Sequence, residues 1–392
     1  MNIGGMSTRK SIRVADVRGP LDRLFGEDFH AKRVESMASG VVGIIESRSL
    51  GIHLIGRGLA AVEGLCDKHA VKQIDRLVGN EGIDVELVQE MWCRHSLEGL
   101  EAAVINLDWT DFDADDHTML MASVQTSHGR SRPLMWKTVK KSKLRGRRNG
   151  YEDELLTRLR ATVPSSMKVT IVADRGFMDS SFMEYIDEML GFSYILRIRS
   201  NVYVTDSKGE CRTAQGWLNP NGRMRTITGG SITAEEYEVV KVVIVKDKGM
   251  KAGWFLVSND DTLSGSEIKK LYGKRFSCEE TFRDLKNGHR GWGMSQSRIK
   301  KESRRDRLVM LAVLAMRFLE SLGEAGERCG LDRTLYASTA KRRQLSLLRQ
   351  GLRWYDLIPN MPAPRFRKLM KAWREVLEEQ ADLSMFIGVY AK

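Results

Sequence analysis

The sequence predicts a mixed α/β chain built on a central sheet, with helical stretches at both ends and an all-β interruption. Three observations point there. Residues 99–200 hold short runs whose patterns follow the order βββαβαβ. Residues 201–259 lose that rhythm and become rich in Gly, turns and β-type runs. Both flanks repeat apolar residues at helical intervals.

Taken in order, residues 1–98 read as helices. Stretches 36–45 and 52–65 carry apolar side chains at helical spacing. A further helix is expected from Asp67, acting as its N-cap, to Gly79. Val71, Ile74 and Leu77 would face a core, leaving Lys68, Lys72, Gln73 and Arg76 outward. Alone, this segment reads first as an ordinary amphipathic helix with a solvated face. The second reading is the groove-entering helix of a helix-turn-helix. Residues 104–107, 120–124 and 134–139 then look like successive strands, followed by a helix at 151–161, a strand at 169–173, a helix at 180–190 and a strand at 194–199. Within 201–259, β-type runs occur at 201–205, 223–227, 237–245 and 254–257. A long helix is expected to begin near Ser266 as its N-cap. From about residue 290 the chain reads as helical, with basic clusters at 298–307 and 341–343 and with Pro362 and Pro364 punctuating the tail.

Lys and Arg number 63 against 51 Asp and Glu, a net charge of +12. That excess favours a polyanionic partner without proving one. Five scattered cysteines (Cys66, Cys93, Cys211, Cys278 and Cys329) form no C-x-x-C pair, which suits a reducing compartment. Arg9 and Lys10 precede no apolar core, so no signal peptide is expected. The longest apolar run, 308–316, is far below the ~18 residues of a membrane span. The expected location is cytoplasmic, with no membrane partner.

The richest stretch is 270–286. On one continuous helix Tyr272, Arg275, Glu279 and Lys286 would share an arc of about 60°. A carboxylate, two cations and a phenol on one stripe suit a site that gathers metal and phosphate. Glu279 alone could equally pair with Arg275 and Arg283 at i±4. The apolar runs 103–107 and 169–173 end in Asp108 and Asp174, as a buried strand delivers an acid to a sheet edge. Asp108, Asp174 and Glu279 are therefore the candidate metal ligands and catalytic residues. Their hard oxygens suit Mg²⁺ or Mn²⁺, and two such ions about 3.5–4 Å apart activate an attacking oxygen and stabilise a leaving one.

Asp111, Asp113, Asp115 and Asp116 cluster nearby. A calcium loop starting at Asp111 would place Gly at position six and Glu at position twelve. Those places hold Asp116 and Ala122, so the cluster reads as a solvated loop. Residues 132–148 contain eight Lys or Arg and no acid. Lys140, Lys141, Lys143 and Arg145 there are candidate DNA contacts, as are Lys72 and Arg76. Trp254 reads either as a buried tryptophan or as a stacking platform for a base. Arg197 could anchor a phosphate or pair with an acid. There is no G-x-x-x-x-G-K-[ST] loop, so no nucleotide cofactor is expected.

Tyr272-x2-Arg275-x3-Glu279-x6-Lys286 resembles the Tyr-Arg-Glu-Lys signature of the bacterial insertion-sequence DDE transposases of family four. Residues 279–286 look most like the branch of the transposon-ten transposase. The Leu107-Asp-Trp-Thr110 and Val172-Ala-Asp-Arg-Gly-Phe177 segments match that family's two aspartate motifs. The resemblance extends over most of the chain. It implies a ribonuclease-H-like core interrupted by a β domain, with Asp108, Asp174 and Glu279 binding two divalent ions. It implies domains at 1–98 (helical, binding the DNA ends), 99–200 and 260–325 (the two parts of the core), 201–259 (the β insertion) and 326–392 (helical, dimerisation). The implied activity is cut-and-paste transposition. Terminal inverted repeats of double-stranded DNA are bound and cut, through a hairpin, and then joined to target DNA by a homodimer in a bacterial nucleoid. Tyr272, Arg275 and Lys286 would grip phosphates and a flipped base, Trp254 would stack on that base, and Arg197 would touch DNA. The alternatives are a two-metal nuclease on the same core that does not join, and a catalytically silent DNA-binding relative.

Overall fold

A computed structural model describes residues 10–379 apart from 234, 235 and 338. Residues 1–9 and 380–392 of the expected helical ends, and Arg9 with them, lie outside the described residues. The described chain divides into two compact units. One takes in residues 10–98, 114–116 and 282–379; the other takes in 99–113 and 117–281.

The first unit is helical. It opens with α1 (Val14–Phe25), α2 (Ala31–Ser47), α3 (Ile52–Glu63), α4 (Asp67–Val78) and α5 (Val85–Leu97). The cap expected at Asp67 is instead Cys66, and Asp67 is the first helical residue, where its charge favours the helix N-terminus. Ala70, Ile74, Leu77 and Val78 form the buried side of α4, while Val71 is only partly covered. Lys72 and Arg76 are exposed, as the pattern suggests. Asp84 caps α5 by accepting from the Glu86 and Leu87 amides.

The second unit is one ten-stranded mixed sheet. Its strands are β1 (Ala102–Phe112), β2 (His117–Val124), β3 (Arg132–Lys140), β4 (Lys168–Ala173), β5 (Ser193–Arg197), β6 (Tyr203–Asp206), β7 (Cys211–Thr213), β8 (Arg225–Ile232), β9 (Tyr237–Val245) and β10 (Trp254–Ser258). They lie side by side in the order β3-β2-β1-β4-β5-β10-β9-β8-β6-β7. β1, β4 and β5 run parallel; the other pairings are antiparallel. The β-type runs of 201–259 thus extend the same sheet through β10. This mixed α/β architecture is the ribonuclease-H-like fold expected of the sequence.

Helix α6 (Arg148–Thr162) links β3 to β4, and α7 (Ser180–Glu184), continued by a wide π-turn at Tyr185–Met189, links β4 to β5. After β10 comes α8 (Gly265–Lys274), capped by Ser264 and not by Ser266, because Ser264 and Glu267 form a capping box. Then α9 (Phe276–Lys286) follows. The division between the units falls inside α9.

The first unit resumes with α10 (Glu302–Arg328), α11 (Leu347–Leu357) and α12 (Ala363–Glu378). Helix α10 is buried along nearly its whole length, so 308–316 is a core segment; no described helix is long and apolar enough to cross a membrane. Its Arg305 is fully buried and paired with Asp115. Asp115 therefore departs from the solvated-loop reading, whereas Asp111, Asp113 and Asp116 are exposed.

Helices α10 and α11 meet at glycines. A Cβ at Gly351 would fall 1.8 Å from the Leu319 carbonyl oxygen, and one at Gly323 would fall 2.2 Å from that of Leu347. Neither obstacle is a flexible side-chain tip, so Gly351→Ala must push the helices apart. Its unfolding free energy in urea is expected to fall by about 1–3 kcal/mol; an unchanged midpoint would show that the crossing tolerates a methyl group.

Candidate active site

The parallel register sets the first feature of the site. β1 and β4 pair from Ala102–Lys168 through Leu107–Ala173. Asp108, still within β1, and Asp174, the first residue past β4, each follow the last pair of that register. Asp108 is not at a strand end, as the apolar run suggested: β1 continues to Phe112 because its other edge keeps pairing with β2. Asp174 does end its strand. It caps a 3-10 turn, Arg175–Phe177, by accepting from the Gly176 amide at 2.7 Å.

The second feature is the junction of α8 and α9. The expected continuous helix is broken at Arg275, which caps α8. Bonds from the Arg275 amide to the Tyr272 carbonyl (3.0 Å) and from the Cys278 amide to the Arg275 carbonyl (2.9 Å) span three residues, tightening the backbone locally. The Arg275 side chain is only 7% exposed. Its Nη1 donates to Asp108 Oδ2 at 2.8 Å and its Nη2 to Glu279 Oε1 at 2.7 Å. The Cys278 thiol donates to the same Asp108 oxygen at 3.4 Å. Asp108, Glu279 and Arg275 thus form one bonded cluster, and Asp174 is near enough to act on Asp108 electrostatically.

Charge follows burial here. The Asp108 carboxyl is pushed above its ordinary value by burial, against the pull of Arg275, and Asp174 adds to the push. Burial also opposes the charge on Arg275, but Asp108 and its other neighbours outweigh that and hold it protonated. The Cys278 thiol is pushed up by burial and then by Asp108, so it stays a neutral donor. Among the described residues no three acids, histidines or cysteines stand close enough together to hold a metal ion. What the structure gathers is two carboxylates, Asp108 and Glu279, on one buried guanidinium, with Asp174 close enough to push on Asp108; hard oxygens of this kind have the chemistry a divalent cation takes.

Of the other expected residues, Tyr272, Trp254 and Arg197 stand together beside Arg275, whose guanidinium lies 5.8 Å from the Tyr272 ring centre. Tyr272 is fully buried while Glu279 is half-exposed, and the Arg275 side chain between them touches both. The Tyr272 ring meets Trp254 edge-on at 5.1 Å. Trp254 is half-buried, stacks with exposed Phe276 at 6.0 Å, and lines an open cavity of about 430 Å³ with Lys269 and Lys270. Arg197 donates to the Gly253 carbonyl at 3.2 Å, and its charge, with that of Arg275, offsets part of the burial-driven rise of the Tyr272 hydroxyl. Lys140 lies 3.0 Å from His117, and Lys141 bridges Asp111 and Asp113, so both are engaged within the protein. Lys143 and Arg145 are exposed. Lys72 and Arg76 belong to the helical unit, as does Lys286, the last residue of α9.

Two groups of neighbours escaped the sequence reading. Cys278 was counted only for its redox implications, although its place beside Glu279 was a signal. Arg148 and Glu152, one helical turn apart, pack against Trp109, the residue after Asp108. Their i, i+4 spacing was visible, but Arg148 was grouped with the basic run.

Residues 104–317, more than half of the chain, match the family model described as Transposase DDE domain. No curated protein matches the chain.

A protonated, covered thiol should be inert. In the folded protein at pH 8, iodoacetamide is expected to label exposed Cys66 and Cys211 and to spare Cys278 until denaturant is added, as read by peptide mass mapping. Labelling of Cys278 as fast as Cys66 would mean that the thiol does not sit on Asp108.

Proposed function

The chain belongs to the transposase DDE domain family, and from that premise we propose that it is a cut-and-paste DNA transposase of the bacterial insertion-sequence family-four type, near the transposon-ten branch. It binds the inverted repeats of its element, cuts the ends through a hairpin, and joins them to target DNA as a homodimer at the nucleoid. The observation that carries this reading is the gathering of Asp108 and Glu279 on one buried guanidinium, with Asp174 close enough to push on Asp108.

Asp108, Asp174 and Glu279 would hold two Mg²⁺ or Mn²⁺ ions, which supply activation of the attacking oxygen and stabilisation of the leaving one. Arg275 ties two of these carboxylates to one guanidinium and so orients them. Its Nε is buried with no partner among the described residues, a donor that a phosphate oxygen would satisfy. Trp254, with Phe276 stacked beside it, offers an aromatic face to an unpaired base, and buried Tyr272 props that face from below. Lys143 and Arg145 would take backbone phosphates, as would Lys72 and Arg76 on the helical residues 10–98, the proposed end-binding region. Residues 201–259 would serve as the β insertion, and the helical residues beyond 325 would pair the protomers.

Replacing Asp108, Asp174 or Glu279 by Ala is expected to abolish end cleavage in Mg²⁺ while end binding in Ca²⁺ survives, measured on the same DNA. Full cleavage by the Glu279 variant would remove it from the reaction. Joining of a precut end to a plasmid separates a transposase from a nuclease that only hydrolyses. For Lys286→Ala, binding to end DNA should weaken and the slope of log K against log salt should fall by about one; an unaltered slope would exclude a phosphate contact at Lys286.

A further inference from the structure

Resting on that reading of the three acids, we propose that Arg148 and Glu152 form a positioning clamp that fixes Asp108 and Asp174 relative to each other. Arg148 opens α6 and Glu152 lies one turn along it. The Glu152 side chain is 3% exposed, and its Oε1 accepts from Trp109 Nε1 at 2.6 Å and from Arg148 Nε at 2.8 Å. The Arg148 guanidinium lies 5.5 Å from the Trp109 ring centre and 5.2 Å from that of Phe177. Trp109 directly follows Asp108. Phe177 closes the 3-10 turn that Asp174 caps. One planar cation therefore touches the residue that steers each aspartate, and a buried carboxylate locks it there.

Gly176 supplies a separate sign of close fit. A Cβ there would fall 2.9 Å from Asp174 Oδ1 and 3.3 Å from Arg148 Nη2. The guanidinium edge thus reaches the Asp174 turn as closely as a glycine allows. Arg148 is the last member of the basic run, and its contacts face the aspartates' neighbours. The separation of two like-charged ligands decides how well they share a cation, and side chains that orient metal ligands typically cost roughly 10- to 100-fold in affinity when removed.

The test is Mn²⁺ binding to the full chain, followed by electron paramagnetic resonance of free Mn²⁺, with melting temperature recorded alongside. Arg148→Ala and Glu152→Ala should weaken Mn²⁺ binding by about tenfold or more. Glu152→Gln keeps an acceptor oxygen for both donors and should bind nearly as the unsubstituted chain does. Arg148→Lys keeps the charge but not the plane and should be as weak as the alanine variant; it also replaces that variant should Arg148→Ala fail to fold. Unchanged binding in the folded Arg148 variants would overturn the clamp, as would equal loss in Glu152→Gln and Glu152→Ala. Should the unsubstituted chain hold no Mn²⁺, or hold it undiminished after Asp108→Ala, the reading of the acids falls first and the clamp with it.

Discussion

A single buried guanidinium organises the acidic edge of the sheet. Burial and Asp174 push the Asp108 carboxyl toward its neutral form, and Arg275 is the largest influence that opposes them. Arg275 ties Asp108, 167 positions away, and Glu279, four positions away, to the same side chain. The attraction is strong because little water reaches it, and removing one partner would strand the other charge in the interior. A second tie lies one turn earlier. The Gln125 side-chain amide donates to Asn106 on β1 and to the Leu271 carbonyl on α8, at 2.8 and 3.0 Å. The helix that delivers Arg275 is thereby registered on the strand that delivers Asp108.

The strands of the core were legible because apolar runs of four to six residues bounded by turn formers have few other readings. Their edges were not. Nothing in the 104–107 run tells that β1 extends to Phe112, since that extension depends on pairing with β2 and not on local composition. The three-residue strand β7 is too short to leave a pattern. Cap choice at Cys66 and Ser264 likewise turned on neighbours one to three residues away that could serve equally well in isolation.

The candidate site was legible as a set of acids and illegible as a geometry. Helical periodicity puts Tyr272 and Glu279 on one stripe, and Arg275 does touch both, but only packing decides that Tyr272 is core and Glu279 half-exposed. Long-range partners were invisible in the same way. Asp115 looked like one of four loop acids until Arg305, 190 residues away, met it. The basic run read as one electrostatic surface, yet Lys140 meets a buried histidine, Lys141 two aspartates and Arg148 two aromatic rings.

The pairing of β5 with β10 carries a last consequence. Arg197 lies opposite Leu256, and its guanidinium reaches the carbonyl of Gly253, just ahead of Trp254. Arg197 and Gly253 stand fifty-six positions apart, so the excursion between them leaves and returns at one fixed doorway. Lineages could lengthen, trim or exchange the distal strands while the arginine and the indole keep their mutual station. A change of length beyond that bond leaves the spacing of the pair alone, whereas a change at either of its two ends shifts it.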